Sequence, residues 1–164
     1  ARDMFLFSFY TRGMSFIDMA YLKKSDLKNG IITYRRRKTG QQLTVKWEKC
    51  MEDIIAKYGE NTATRYLLPI ITNPCSDERT QYRNAICRIN VALKEVAGLA
   101  GLNIPLTMHV ARHCWASVAK SKNIPLSVIS EGMGHDSEET TRIYLASLDT
   151  SVVDKANSLI LKDF

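Results

Sequence analysis

A short β-rich stretch interrupts a chain that is otherwise patterned for helices. The dipeptide Asn29-Gly30 is typical of a tight hairpin turn, and residues 31–34 after it are rich in β-branched and aromatic side chains. Residues 38–40 carry a second turn sequence, and residues 43–45 predict another strand. This stretch therefore predicts a small three-stranded antiparallel meander.

Apolar residues spaced three and four apart predict helices on both sides of the meander. The predicted helices cover residues 4–10, 15–22, 47–58, 77–99, 107–121, 125–131 and 151–161, with one more that starts at residue 136 or 137. The predicted N-caps are Ser15, Thr107 and either Asp136 or Ser137. Neither a repeat nor a low-complexity linker divides the 164 residues. The predicted fold is therefore mainly α with a small three-stranded antiparallel β-sheet, in a single domain spanning residues 1–164.

The composition indicates a basic protein without a membrane span. Lys and Arg number 23 against 17 Asp and Glu, which gives a formal net charge of +6 and favours a polyanionic partner. The four cysteines are scattered, without a C-x-x-C pair or a secretory segment, and we expect mostly buried, reduced thiols in an intracellular protein. No run of 18 apolar residues is present, so we expect a soluble chain.

The segment from His109 to His113 combines residues that bind phosphate or metal. His109 and Arg112 are three residues apart on a predicted helix, so one face of that helix offers a phosphate two donors. The four-residue spacing of the two histidines also occurs in zinc sites, but the glutamate base of the zinc-protease motif is absent. We therefore predict no metal site and interpret His113 as a core histidine bonded to backbone.

Three motifs in order resemble those of the tyrosine recombinases, the family of phage and transposon integrases. Residues 109–113 match its H-x-x-R-H box, and Gly134-His135 followed by Tyr144 matches its G-H…Y box. Residues 35–40, Arg-Arg-Arg-Lys-Thr-Gly, are similar to its β-hairpin lysine segment. The resemblance covers essentially the whole chain, and it implies the catalytic-domain fold of the DNA breaking-rejoining enzymes.

By this resemblance the chain cleaves and rejoins DNA strands through a 3′-phosphotyrosine at Tyr144, for integration or excision of a mobile element, without metal, ATP or another cofactor. Arg112, His109 and His135 would clamp the phosphate, because positioned cations and donors lower the barrier of a negatively charged phosphodiester. Lys38 would protonate the departing 5′ oxygen as general acid. The predicted DNA-binding residues are Arg35, Arg36, Arg37 and Lys38.

The first box of the family is altered in this sequence. Members usually show an arginine two residues before a Ser-Glu or Ser-Asp pair, and ungapped counting puts Ser15 in the arginine's slot. Arg12 is the nearest arginine in the sequence, and we expect it to replace the missing one. Arg36 is the reserve, because in an extended strand it would point to the same side as Lys38.

The resemblance also implies partners and a setting. We expect double-stranded DNA as substrate, a homo-oligomer on that DNA, and a place in the cytoplasm of a prokaryote at the nucleoid. The chain begins inside a predicted helix without an initiator methionine, so we expect a fragment of a longer protein whose N-terminal DNA-binding domain is absent. We also expect the helix at 151–161 to dock on a neighbouring protomer.

Three other interpretations remain open at the level of sequence. A type IB topoisomerase-like enzyme shares the same chemistry, although the compact G-H…Y ending favours a recombinase. A DNA-binding protein that has lost catalysis is compatible with Ser15 in the arginine's slot. A helical protein-interaction domain would require that all three motif matches arise by chance.

Overall fold

The computed structural model describes residues 1–59 and 63–146, and this part of the chain is mainly helical with one small sheet. The predicted fold class is confirmed. The elements are α1 (Arg2–Tyr10), α2 (Phe16–Ala20), β1 (Leu27–Lys28), β2 (Ile31–Arg35), β3 (Gln42–Lys46), α3 (Lys49–Ala56), α4 (Glu78–Leu99), α5 (Met108–Ser121), α6 (Leu126–Met133) and α7 (Glu138–Ala146). The helix predicted at 151–161 lies outside the described residues.

The sheet is the predicted antiparallel meander, in the order β1-β2-β3. Asn29 and Gly30 both adopt positive φ, at 51° and 72°, as a tight hairpin turn requires. Tyr34 on β2 pairs with Leu43 on β3, and both side chains are buried. The alternation of buried and exposed residues along β2 and β3 shows that one face of the sheet covers the core.

β2 ends at Arg35, and residues 37–39 form the turn that leads to β3. The expectation that Arg36 and Lys38 lie in an extended strand is therefore wrong. The turn separates the two side chains, because Arg36 is buried while Lys38 is exposed. A strand would have placed both of them on one face.

Two helix starts confirm the predicted caps and a third does not. The Ser15 hydroxyl accepts a hydrogen bond from the Asp18 amide at the start of α2. The Ser137 hydroxyl likewise accepts from the Thr140 amide before α7. Thr107 makes no side-chain cap at α5, where the amide of Met108 donates instead to the side chain of Asn90, 2.9 Å away on α4.

The apolar interior consists of two clusters of buried side chains. The larger cluster joins α1, α2, the sheet, α3 and α4, and its fully buried members include Phe7, Met19, Ile32, Met51 and Leu93. The smaller cluster joins α5, α6 and α7 through Ala116, Ala119, Ile129, Met133 and Leu145. Helix α5 contributes residues to both clusters, so it connects the two parts of the core.

The turn after α1 brings the two clusters together. Arg12 and Gly13 both have positive φ, at 60° and 72°, which reverses the chain after the helix. A Cβ atom on Gly13 would lie 2.9 Å from the Cα of Arg112, closer than real Cβ contacts come. Only glycine therefore allows the turn to lie against the backbone of α5.

The cysteines differ from expectation. Cys75 and Cys87 are exposed, and Cys50 and Cys114 are half-buried, so the prediction of mostly buried thiols is wrong. All four are free cysteines. Within the described ranges, no helix is long and apolar enough to cross a membrane.

The close approach at Gly13 generates a test of the fold. Gly13→Ala should lower the free energy of unfolding by about 3 kcal/mol, since left-handed strain adds to the overpacking against Arg112. The matched control is Gly30→Ala, whose φ is also 72° but whose Cβ would meet nothing within 4 Å. Gly30→Ala should lower the free energy of unfolding by about 1 kcal/mol, from strain alone. Equal losses in urea denaturation would show that the turn does not pack closely on α5.

Candidate active site

Arg112 lies at the junction of the two apolar clusters and is only 6% exposed. One guanidinium nitrogen donates to the carbonyl of Gly13 at 2.7 Å, and another donates to the carbonyl of Met133 at 2.6 Å. A buried charge requires polar partners, and these are neutral main-chain groups. The charge of Arg112 is thus positioned without being cancelled by a carboxylate at either hydrogen bond.

Arg36 reaches the same place from the sheet. It is 7% exposed, and its guanidinium donates to the carbonyl of Gly134. Gly134 ends α6 in the left-handed conformation, with φ at 64°. Two successive carbonyls at the end of α6, those of Met133 and Gly134, therefore hold Arg112 and Arg36 beside each other.

The charge of Arg36 affects the ionisation of Arg112. Burial, together with the nearby charge of Arg36, lowers the pKa of Arg112 to about 10. A group with that pKa still carries its charge at neutral pH. The pair therefore presents two positive charges at one end of α6, which is a site for an anion such as phosphate.

Tyr144 on α7 lies against the histidines of α5. Its ring is stacked on that of His113, with a centroid distance of 4.1 Å and an interplanar angle of 4°. The rings of His135 and His109 meet it edge-on, at 5.7 Å and 6.1 Å. Burial raises the pKa of Tyr144 to about 12, although the charges of Arg112 and Arg36 act to lower it.

The histidines around the tyrosine favour the neutral form. Burial and the charges of Arg112, Arg36 and Lys38 lower the pKa of His135 to about 4. Burial and the charges of Arg112 and Lys38 also lower the pKa of His109. Each of these rings is therefore uncharged at neutral pH, with one nitrogen that donates and one that accepts.

Lys38 stands in the exposed turn between β2 and β3, close enough to influence His109 and His135. Its neighbours Arg35 and Arg37 both make contacts within the domain. Arg35 donates to the carbonyl of Gly40 at 2.7 Å, and Arg37 lies 3.7 Å over the ring of Tyr21.

Arg12 is half-buried at the turn after α1. The charges of Arg112, Arg36 and Arg12, in that order, act on the buried hydroxyl of Tyr34, whose pKa is raised chiefly by burial. Arg12 therefore points to the same region as the other two arginines. Arg112 and Arg36 also act on the ionisation of Tyr144.

The sequence profile of the phage integrase family matches residues 3–151. The chain belongs to the phage integrase family. Among curated proteins no sequence matches this chain.

Solved structures of tyrosine recombinases share the fold of this integrase-family chain. The XerA recombinase superposes with a TM-score of 0.67 at 20% identity, over 96% of this chain and 60% of that one. The XerH site-specific recombinase, in a post-cleavage complex with its palindromic difH substrate, superposes with a TM-score of 0.69 at 20% identity, over 96% of this chain and 44% of that one. The Tn1549 transposon integrase, in complex with transposon right end DNA, superposes with a TM-score of 0.66 at 14% identity, over 98% of this chain and 57% of that one. The chain thus spans about half the length of these recombinases.

The structure gathers most of the residues that the integrase motifs single out. Tyr144, Arg112, His109, His135 and Lys38 lie in one region, as the resemblance implies. The expectation that His113 is a core histidine bonded to backbone is wrong. Its Nδ1 has no hydrogen-bond partner among the described residues, and its ring stacks on the tyrosine.

Asp18 and Thr141 make three contacts in this integrase-family site that were not apparent in the sequence. Buried Asp18 accepts from the hydroxyl of Ser15 at 2.5 Å and from the amide of Arg37 at 2.9 Å, which ties α2 to the hairpin turn. The Oγ1 of Thr141 lies 2.7 Å from Nδ1 of His135. Thr141 precedes Tyr144 by three residues on one helix face, and that spacing is the only signal the sequence gives.

The histidine pair of the H-x-x-R-H box lies on α5 with Arg112. In the part of the chain that the structure describes, no group of three or more His, Cys, Asp or Glu residues could hold a metal ion. His109 and His113 face each other at a centroid distance of 4.6 Å, with Arg112 between them in sequence. The nearby positive charge disfavours a cation there.

The lowered pKa of His135 predicts how stability depends on pH. Its pKa in the folded protein is about 4, below its ordinary value of 6.5, so the unfolded chain binds a proton that the folded chain does not. The free energy of unfolding should therefore decrease as pH falls from about 6.5 to about 4. His135→Gln should make this decrease smaller, as measured by urea denaturation at several pH values. An unchanged pH dependence in the variant would contradict the lowered pKa.

Proposed function

We propose that this chain is the catalytic domain of a site-specific DNA recombinase that cleaves and rejoins strands through a phosphotyrosine at Tyr144. The observation that carries the proposal is the arrangement of two buried guanidinium groups and three imidazole rings around one tyrosine. Such a set of positioned cations and donors suits the charge that develops on a phosphodiester in the transition state.

The chemistry follows from the roles these groups can take. The phenolic oxygen of Tyr144 attacks phosphorus, the bond from phosphorus to the 5′ oxygen breaks, and the phosphate becomes linked to the tyrosine. The phenol proton leaves to a neighbouring neutral histidine, with His109 the exposed candidate, and Lys38 gives a proton to the departing 5′ oxygen. Attack by a 5′ hydroxyl on the phosphotyrosine reverses these steps and rejoins the strand.

We assign the second arginine of the clamp to Arg36 in preference to Arg12, which the position in sequence favoured. Arg36 lies beside Arg112 on successive carbonyls of α6, and its charge lowers the pKa of both Arg112 and His135. Arg12 acts on Tyr34 and is not among the largest influences on either of those pKa values. The guanidinium of Arg36, from the hairpin, would thus replace that of the family's arginine, which is missing at position 15.

Double-stranded DNA is the proposed substrate, and a homo-oligomer on DNA is the proposed working form. The net charge of +6 and the exposed lysine of the hairpin support a phosphate-dominated contact. XerH bound to difH DNA and a lambda integrase dimer bound to a core site share this fold, and they provide the precedent. We propose that the protein acts in the cytoplasm of a prokaryote, at the nucleoid. The DNA that it integrates or excises would be a mobile element.

The main alternative is a DNA-binding protein without catalysis, since Ser15 occupies the slot of an arginine. Both candidates bind DNA, so binding does not separate them. Formation of a covalent complex does, because only an active tyrosine remains attached to a cleaved strand.

Tyr144→Phe tests the nucleophile directly. On nicked duplexes made from DNA that flanks the native locus, the unsubstituted protein should form a covalent adduct that survives denaturing electrophoresis. The Phe variant should form none and should bind the same duplex with an unchanged dissociation constant, because only the hydroxyl is lost. Tyr58→Phe is the control and should retain adduct formation, because the hydroxyl of Tyr58, just after α3, bonds to Asp3 of α1 and not to the site. An adduct from Tyr144→Phe would rule out this nucleophile.

Arginine variants test the assignment of the clamp. Arg36→Ala should slow single-turnover cleavage by about a hundredfold to a thousandfold, the usual cost of losing one oxyanion donor. Arg12→Ala, which serves as the matched control, should retain most of the rate. Each variant is checked for DNA affinity and for its free energy of unfolding, since Arg36 also satisfies the carbonyl of Gly134. Loss of cleavage in Arg12→Ala alone would reverse the assignment.

A further inference from the structure

Thr141 is a buried polar residue on the helix that carries Tyr144. It is 0% exposed, and its Oγ1 lies 2.7 Å from Nδ1 of His135. The same helix thus delivers the tyrosine to the cleft and a hydroxyl to the histidine, at positions three residues apart. The direction of this hydrogen bond determines which nitrogen of His135 carries the proton.

The surroundings of the hydroxyl determine that direction. The hydroxyls of Thr11, the residue that ends α1, and of Ser117 in α5 donate to carbonyls four residues earlier, at 2.6 Å and 2.9 Å. Among the described residues, Thr141 has no such bond to a carbonyl, and His135 is the polar partner recorded for its hydroxyl. If His135 were the donor, the hydroxyl proton of Thr141 would be buried without an acceptor, which is costly. The hydroxyl is therefore the donor and Nδ1 the acceptor.

The remaining nitrogen of the ring then carries the proton. The charged groups that act most strongly on His135 are the cations Arg112, Arg36 and Lys38 and the carboxylate of Asp136, and the ring of Tyr144 meets it edge-on. Burial and the three cations keep the imidazole neutral. A neutral imidazole has a single N–H, so it can donate to a phosphate only in one tautomer. With Nδ1 accepting from the hydroxyl, that N–H is at Nε2.

We propose that Thr141 is a positioning residue that holds His135 in the Nε2–H tautomer, so that His135 donates to the scissile phosphate while α7 is docked. The proposal rests on the proposed function, in which His135 is part of the phosphate clamp. It also couples two requirements of the reaction. Withdrawal of α7 would remove Tyr144 and at the same time release the ring of His135, so that nucleophile and donor are assembled together.

Thr141→Val and Thr141→Ser test this role on the full chain. Valine keeps the shape of the side chain and removes the hydroxyl, whereas serine keeps the hydroxyl. Thr140→Val is the control on the exposed neighbour. Nitrogen-15 spectra of the DNA-free protein at neutral pH report the tautomer, and the signal of His135, one of three histidines, is identified by its absence in His135→Gln.

The expected result is an Nε2–H tautomer for His135 in the unsubstituted protein, in Thr140→Val and in Thr141→Ser, and its loss in Thr141→Val. On a nicked duplex, Thr141→Val should cleave about tenfold more slowly, the rate equivalent of one hydrogen bond, with an unchanged DNA dissociation constant. Thr141→Ser should restore the rate.

An Nδ1–H tautomer in the unsubstituted protein would overturn the proposal, as would a Thr141→Val variant that cleaves at the full rate. Equal slowing in the Val and Ser variants would also overturn it, because it would indicate packing alone. If the unsubstituted protein forms no covalent adduct on any duplex, the proposed function fails. The spectra still report the tautomer of His135, and hence the direction of its hydrogen bond with Thr141, in that case. The two failures are therefore distinguishable.

Discussion

The buried guanidinium of Arg112 is the interaction on which the rest of the structure depends. It joins the turn after α1 to the end of α6 through the carbonyls of Gly13 and Met133, and so connects the two apolar clusters. Removing a buried, hydrogen-bonded cation would leave both carbonyls without a donor. Among the described residues, the Arg112 guanidinium donates to neutral main-chain carbonyls. Its charge therefore stabilises the fold and remains able to attract a phosphate.

The end of α6 extends this arrangement to a second arginine. The last carbonyls of a helix carry partial negative charge, and the left-handed turn at Gly134 directs two of them at Arg112 and Arg36. A Cβ on Gly134 would lie 2.8 Å from a methyl group of Leu43, so the sheet also packs closely at this point. This geometry explains how a chain with Ser15 in the first box can still bring two guanidinium groups to one site.

The sequence predicted the fold well where the signals are local. Helical spacing, the Asn29-Gly30 turn and the Ser15 cap each depend on neighbours in the chain, and all three are confirmed. Contacts through space were not predictable in the same way. Arg36 and Gly134 are 98 residues apart, and nothing in the local pattern shows that Arg36 leaves the strand to become buried. The hydroxyl of Thr141 was missed for a similar reason, since a threonine on a helix gives no sign of its partner.

A covalent bond between DNA and Tyr144 is the most direct test of our proposal that Tyr144 attacks a phosphate held by the two arginines. The adduct formed on a nicked duplex can be digested with nuclease and trypsin and analysed by mass spectrometry. Cleavage after Arg142 and Lys155 releases residues 143–155, in which Tyr144 is the one tyrosine. We expect a nucleotide mass on that peptide, located at the tyrosine by fragmentation. A nucleotide on any other peptide, or on a serine of this one, would contradict it.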